Sequence, residues 1–289
     1  MRRGVAMAAD PYGRFRGAGR TPPDDRGGQD VRSGRRDEPS RAAGEATSRE
    51  LRLYGLNAVR AMFARRPGAL RKLYLAETRI PALQPLLKWC VANRVGYRVV
   101  EEDDLRKLAA SSHHEGVVAD VLREAPQPLD SWLAALPAGP QCAVWLDGVG
   151  NPHNLGAILR SAAHFGVGAI LLPQASTLAL SGAAARVAEG GAEAVPMVRL
   201  DGVDESLAAL RGAGFATAAT VVDGGDDLFA AALPRRLVYV LGAEGEGMDR
   251  GLASRCDLRL SIPGTGAVES LNVAAATAVL LAAWRSRTG

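Results

Sequence analysis

Three stretches in the second half of the chain set glycines and polar side chains inside otherwise apolar sequence, where they could do chemistry. Residues 146–167 read LDGVGNPHNLGAILRSAAHFGV. Asn154 stands where a helix N-cap belongs, ahead of Leu155, Ile158, Leu159 and Ala162, which form one apolar helical face. Arg160 and His164 share another face at i, i+4 and could reach one ligand together. Taken alone, Asn154 reads as a plain cap and Arg160 as a solvated helix charge. Residues 238–251 read VYVLGAEGEGMDRG: an apolar strand runs into Gly242, Glu244, Gly245 and Gly247, and a helix near 248 would aim its amides back at the loop. Residues 261–285 read SIPGTGAVESLNVAAATAVLLAAWR. Pro263, Gly264 and Gly266 shape a loop whose backbone can read a base edge. Ser270 and Asn272 open the last helix, where Ser270 could cap it. An asparagine inside an apolar helix start calls for a partner.

These loops need a scaffold, and the surrounding pattern supplies one. From about residue 141, short apolar strands such as CAVWLD, GAILL and RLVYVLG alternate with helical segments. That order predicts a parallel sheet covered on both faces. In such sheets ligands bind beyond the carboxyl ends of the strands, where all three loops fall, so one shared pocket is expected. A dinucleotide reading fails on spacing, because Gly148, Gly150 and Gly156 do not make G-x-G-x-x-G and no acid closes the next strand.

Upstream, residues 50–122 predict a small α/β unit in the order α-β-α-β-α-β. One helix shows Leu56, Val59, Met62 and Phe63 on a face. Another shows Leu83, Leu86, Leu87, Cys90 and Val91. Residues 123–140 carry four prolines and read as a linker with one helical turn in it. Residues 1–49 are rich in Gly, Arg, Asp and Pro and cannot bury enough surface to fold, so disorder is expected.

Charge and cysteine usage narrow the function classes. The net charge is +4, and residues 1–50 hold eleven Arg against eight acids, so the folded part is near neutral. Only local patches could mark nucleic-acid binding. Cys90, Cys142 and Cys256 form no C-x-x-C pair, which points to buried thiols and neither zinc nor disulfides. Without a signal-like or membrane-spanning run, a cytoplasmic protein is expected. Trp89, Trp132, Trp145 and Trp284 read as core or interface, His113 and His114 as loop residues, and Glu189 and Glu193 as surface charges.

Taken in order, NLGAILR, LGAEGEGM and IPGTGAVESLNVAAATAVLL resemble the three motifs of the SpoU (TrmH-like) branch of the SPOUT RNA methyltransferases. The 50–122 unit, with HHEGVVADV, resembles the L30e-like RNA-binding domain that often precedes them. The resemblance implies a knotted α/β SPOUT domain over 141–289, with a deep trefoil knot that turns the C-terminal loop into a cofactor pocket. It implies bent S-adenosyl-L-methionine (AdoMet) held by Thr220, Gly242, Glu244, Ile262, Gly266, Leu271 and Asn272. It implies catalytic roles for Asn154, Arg160, Glu244, Ser270 and Asn272, a homodimer, an RNA substrate (rRNA before tRNA), no metal, and methyl transfer to a ribose 2′-hydroxyl. A silent RNA-binding or ribosome-assembly paralogue is the competing reading. The chain departs from the family pattern at Gly264, at Ala274 and at Glu189-Gly190-Gly191 in RVAEGGAEAVPM.

Overall fold

The computed structural model describes residues 49–243 and 247–288, so the expected tail up to residue 48 and the site residue Glu244 lie outside the described residues. The small unit comprises β1 (Glu50–Tyr54), α1 (Leu56–Arg65), β2 (Leu70–Leu75), α2 (Gln84–Ala92), β3 (Gly96–Val99), α3 (Glu102–Ala109) and β4 (Val117–Leu122). Its sheet runs β1-β4-β2-β3, antiparallel except for β2 with β3. Five-residue β1 was not anticipated; it alternates exposed and buried residues and pairs all along β4. Leu83, Leu86, Leu87 and Cys90 are buried as expected, but Val91 is 67% exposed. Helix α2 follows a 3₁₀ turn at Pro81–Leu83, and at about 100° per residue Val91 falls about 90° from the centre of the Leu86, Leu87 and Cys90 face, at its solvent edge.

The large unit comprises β5 (Gln127–Pro128), α4 (Leu129–Ala134), β6 (Gln141–Leu146), α5 (Pro152–Phe165), β7 (Ala169–Leu172), α6 (Gly182–Val187), α7 (Gly191–Ala194) and β8 (Met197–Arg199). It continues with α8 (Val203–Gly212), β9 (Ala216–Thr220), β10 (Asp226–Asp227), β11 (Arg236–Leu241), α9 (Arg250–Arg255), β12 (Leu258–Ser261) and α10 (Val273–Thr288). The eight strands order as β10-β12-β9-β11-β6-β7-β8-β5, and every pairing is parallel. The central strands β6, β7 and β11 are buried nearly throughout, as a sheet covered on both faces requires. Cys142, Val144 and Leu146 face the α5 and α10 side, while Ala143 and Trp145 face the α4 and α8 side. The 123–140 segment is not a free linker: β5 pairs with β8 at the sheet edge, and Leu129 and Trp132 are buried in the second layer.

One apolar cluster runs from Leu53 and Val59 of the small unit through Ala184 and Ala188 to the α5 side of the large sheet. The cysteines fit this packing. Burial pushes the Cys142 thiol far above its ordinary range, and Cys90 is raised for the same reason. No helix among the described residues is long and apolar enough to cross a membrane.

Candidate active site

Parallel strands β9, β11 and β12 end side by side at Thr220, Leu241 and Ser261, and the chain leaving each end walls a cavity of about 470 Å³. That volume lies in the range of small-molecule sites. The β11 wall is set by backbone packing. A Cβ at Gly242 would sit 2.3 Å from the Gly247 carbonyl carbon and the Met248 nitrogen, so only glycine fits. Ala243 and Gly247 exchange backbone hydrogen bonds of 2.9 and 3.0 Å, which holds these two residues side by side at the cavity wall. The helix expected near 248 begins at Arg250. Asp249 caps it, its Oδ1 accepting from the Leu252 amide at 2.8 Å, while the Asp249 amide donates to Asp147 Oδ2 at 3.1 Å.

Of the residues expected to hold a cofactor, Thr220, Gly242, Ile262, Gly266 and Leu271 line this cavity, and so does Ser270. The Thr220 hydroxyl donates to the Val240 carbonyl at 2.9 Å, so its proton is committed to the sheet. Gly266 takes φ +79°, a left-handed turn in the C-terminal wall that favours glycine. Val221, Leu241 and Leu280 add apolar surface. Two carboxylates that sequence reading missed, Asp223 and Glu269, complete the rim. Asp223 had a legible signal, an acid just past the carboxyl end of β9. An apolar cavity with backbone at two walls and acids at the rim fits a nucleoside that carries positive charge.

Asn272 and Asn154 do not line the cavity; they join it to α5. Asn272 Oδ1 accepts from the Ala274 amide at 2.9 Å, which makes Asn272, not Ser270, the cap of α10. Its Nδ2 donates to Asn154 Oδ1 at 3.1 Å. Asn154 is not the cap of α5 either. Asn151 takes that role, accepting from the His153 amide at 2.9 Å, because the helix already begins at Pro152. Asn154 therefore sits in the first turn, buried to 9% exposure, with its amide bonded across to Asn272.

Arg160 lies farther along α5, exposed, and its side chain makes no hydrogen bond or ion pair among the described residues. Its backbone is tightly held. A Cβ at Gly156 would fall 2.6 Å from the Ala184 carbonyl oxygen, and one at Gly191 2.6 Å from the Leu159 carbonyl oxygen and 3.1 Å from Arg160 Cα. The glycine of NLGAILR is thus a helix-packing glycine. His164 is also exposed, its ring edge-on to Phe165 at 4.9 Å, and His114 is a buried loop residue whose Nδ1 accepts from the Gly116 amide at 3.1 Å.

Comparison with known proteins matches this architecture in both units. Residues 141–282 match the SpoU rRNA Methylase family, and residues 52–127 match the RNA 2'-O ribose methyltransferase substrate binding family. An uncharacterized tRNA/rRNA methyltransferase, YfiF, of Escherichia coli O157:H7 is 40% identical over 81% of this chain and 68% of its own length. The 23S rRNA (guanosine-2'-O-)-methyltransferase RlmB of Salmonella typhimurium is 34% identical over 82% of this chain and 98% of its own. A putative RNA methyltransferase of the TrmH family from Porphyromonas gingivalis superposes with a TM-score of 0.68 at 26% identity, covering 86% and 94% of the two chains. An AdoMet-bound rRNA methyltransferase from Sinorhizobium meliloti shares the fold, with a TM-score of 0.71 at 24% identity over 86% and 91%. The chain belongs to the SpoU rRNA methylase family of RNA methyltransferases.

Proposed function

We propose that this AdoMet-dependent RNA methyltransferase methylates a ribose 2′-hydroxyl in structured RNA, ribosomal before transfer RNA. The observation that carries the reading is the Asn272–Asn154 amide bond. It couples a nucleoside-sized cavity to the helix that displays an unpartnered arginine. The RlmB relatives, named for guanosine 2'-O methylation of 23S rRNA, favour rRNA.

AdoMet supplies an electrophilic methyl group on a sulfonium. Gly242, Ile262, Gly266, Leu271 and Thr220, which line the cavity, would hold its nucleoside end, and Asp223 and Glu269 would complement the positive charge. Asn272 and Asn154 tie the C-terminal loop to α5, with Ser270 on the wall of the cavity beside them. Arg160 keeps its proton, because a guanidinium titrates above about 12. It would act electrostatically, gripping the phosphate next to the target ribose and stabilising the alkoxide character that develops as the 2′-oxygen takes the methyl group; the carbon–sulfur bond breaks to leave a neutral thioether and the hydroxyl proton leaves to solvent water.

The same reading includes the trefoil knot, a homodimer and a cytoplasmic site of action. Insertion of β12 between β9 and β10 supports the knot. Val268 and Leu271, exposed to 72% and 47% beside the cavity, give a second copy an apolar surface to cover. The test is alkaline hydrolysis of RNA treated with enzyme and AdoMet. A 2′-O-methyl group removes the internal nucleophile, so one gap in the hydrolysis ladder is expected. A methylated RNA with a complete ladder would place the methyl on a base and overturn the reading.

A further inference from the structure

The segment AEGGAE, residues 188–193, departs from the family pattern, and no role in the pocket absorbs it. It comprises the turn between α6 and α7 and the first residues of α7, and it faces the small unit. Glu189 and Glu193 are not the surface charges expected from sequence. Glu193 is 5% exposed at its side chain and takes a two-pronged bond from Arg66, whose Nε and Nη2 donate at 2.6 and 2.7 Å. Arg66 Nη1 also donates to the Leu122 carbonyl at 2.6 Å, so one guanidinium ties β4 to α7. Glu189 accepts from Asn57 Nδ2 at 2.7 Å and holds φ +52°, a strained value for a side-chain-bearing residue.

The glycines complete the fit. Gly190 takes φ +94°, and a Cβ there would sit 2.9 Å from the Ala61 Cβ of α1. A Cβ at Gly182 would lie 2.3 Å from the Arg52 carbonyl of β1. On its other side the same turn grips α5, through Gly191 against Leu159 and Arg160. One short turn therefore contacts the small unit on one side and the backbone of Arg160 on the other.

We propose that the AEGGAE turn is a docking socket that fixes the substrate-binding unit to the helix carrying Arg160, so that RNA held by that unit meets Arg160 in one register. Arg66 and Glu193 are then positioning residues for methyl transfer. The inference rests on the RNA methyltransferase reading above. The Arg66–Glu193 pair can set that register, because a forked guanidinium–carboxylate contact fixes orientation as well as distance. A misplacement of about 1 Å far from the chemistry can cost on the order of 100-fold in rate.

The experiment compares the full-length wild type with Arg66→Ala, Arg66→Lys and Glu193→Ala, and with the gentler pair Asn57→Ala and Glu189→Ala. It measures kcat on rRNA, Kd for that RNA, Kd for AdoMet, and the radius of gyration by small-angle scattering. For Arg66→Ala and Glu193→Ala, kcat falls about 10- to 100-fold and the radius grows, while both Kd values hold within about threefold. Arg66→Lys recovers part of kcat, and the gentler pair shifts in the same direction. Unchanged kcat in an undocked variant would overturn the inference, as would an unchanged radius or a matching loss of AdoMet affinity. A wild type that methylates no RNA would instead overturn the proposed function. Scattering separates the two failures, because it reads the docking without RNA.

Discussion

Asn272 carries two duties with two different atoms, and a single substitution separates them. Its Oδ1 caps α10 and its Nδ2 holds Asn154. Asn272→Asp keeps the capping oxygen and replaces the donor with a second acceptor facing Asn154. We expect little loss of melting temperature but a drop in kcat of about tenfold or more, equivalent to one lost hydrogen bond at the site. Asn272→Ala should in addition cost about 1 kcal/mol of stability for the lost cap. Equal kcat in Asn272→Asp and wild type would show that the amide bond is structural only.

Asp257 gives a pH signature. Partial burial works to raise its pKa, but the Thr217 amide and hydroxyl, both 2.8 Å from Oδ2, and Arg211 at 3.0 Å from Oδ1 outweigh that, and the pKa is lowered overall. A lowered folded-state pKa contributes stability above the unfolded value of about 4, and that stability is lost as pH falls through the folded value. Asp257→Asn should therefore cost about 1 kcal/mol at pH 7, after allowance for solvent screening, and progressively less below pH ~4 in urea titrations. A cost independent of pH would contradict this. At this scale the sequence was partly legible. The polar residues of the three motifs stood out against apolar neighbours. Which asparagine caps which helix did not, because Asn151 and Asn154 both precede the same apolar run and only the start at Pro152 decides between them. The partners of Glu189 and Glu193 were equally hidden, since nothing local to AEGGAE reveals Arg66 or Asn57 more than 120 residues away.

Helix α5 is the element on which the site depends, and glycine contacts set its position. Gly156→Ala would push a methyl group into the Ala184 carbonyl, 2.6 Å away, and into Val187. Overpacking of this kind costs about 1–3 kcal/mol, measurable as a lower urea midpoint with an unchanged slope. An unchanged midpoint would mean that α5 and α6 can separate freely. Elements with long apolar runs, such as β6, β11 and α10, were readable from pattern alone. The short ones were not. β1 has only five residues, and two-residue β5 gains its identity from β8, a partner about 70 residues on. Proline content made 123–140 look like a linker, yet an edge strand tolerates proline because one side of its ladder is unpaired.

At the scale of the molecule, a parallel sheet collects three strand ends around one cavity, and the last helix packs on α5 to bring the polar residues of distant motifs together. The parallel architecture was legible from strand–helix alternation. The cofactor and the RNA substrate were not; they entered through family resemblance. The small unit packs onto the same framework through α6 and α7.

The most direct measurement is transfer of tritium from labelled AdoMet to total rRNA and tRNA from a strain lacking this gene, with Arg160→Ala in parallel. The account predicts label in one RNA with wild type, and at least about 100-fold less with Arg160→Ala, the scale of losing one preorganised electrostatic group. Full transfer by Arg160→Ala, or AdoMet bound without transfer to any RNA, would contradict it.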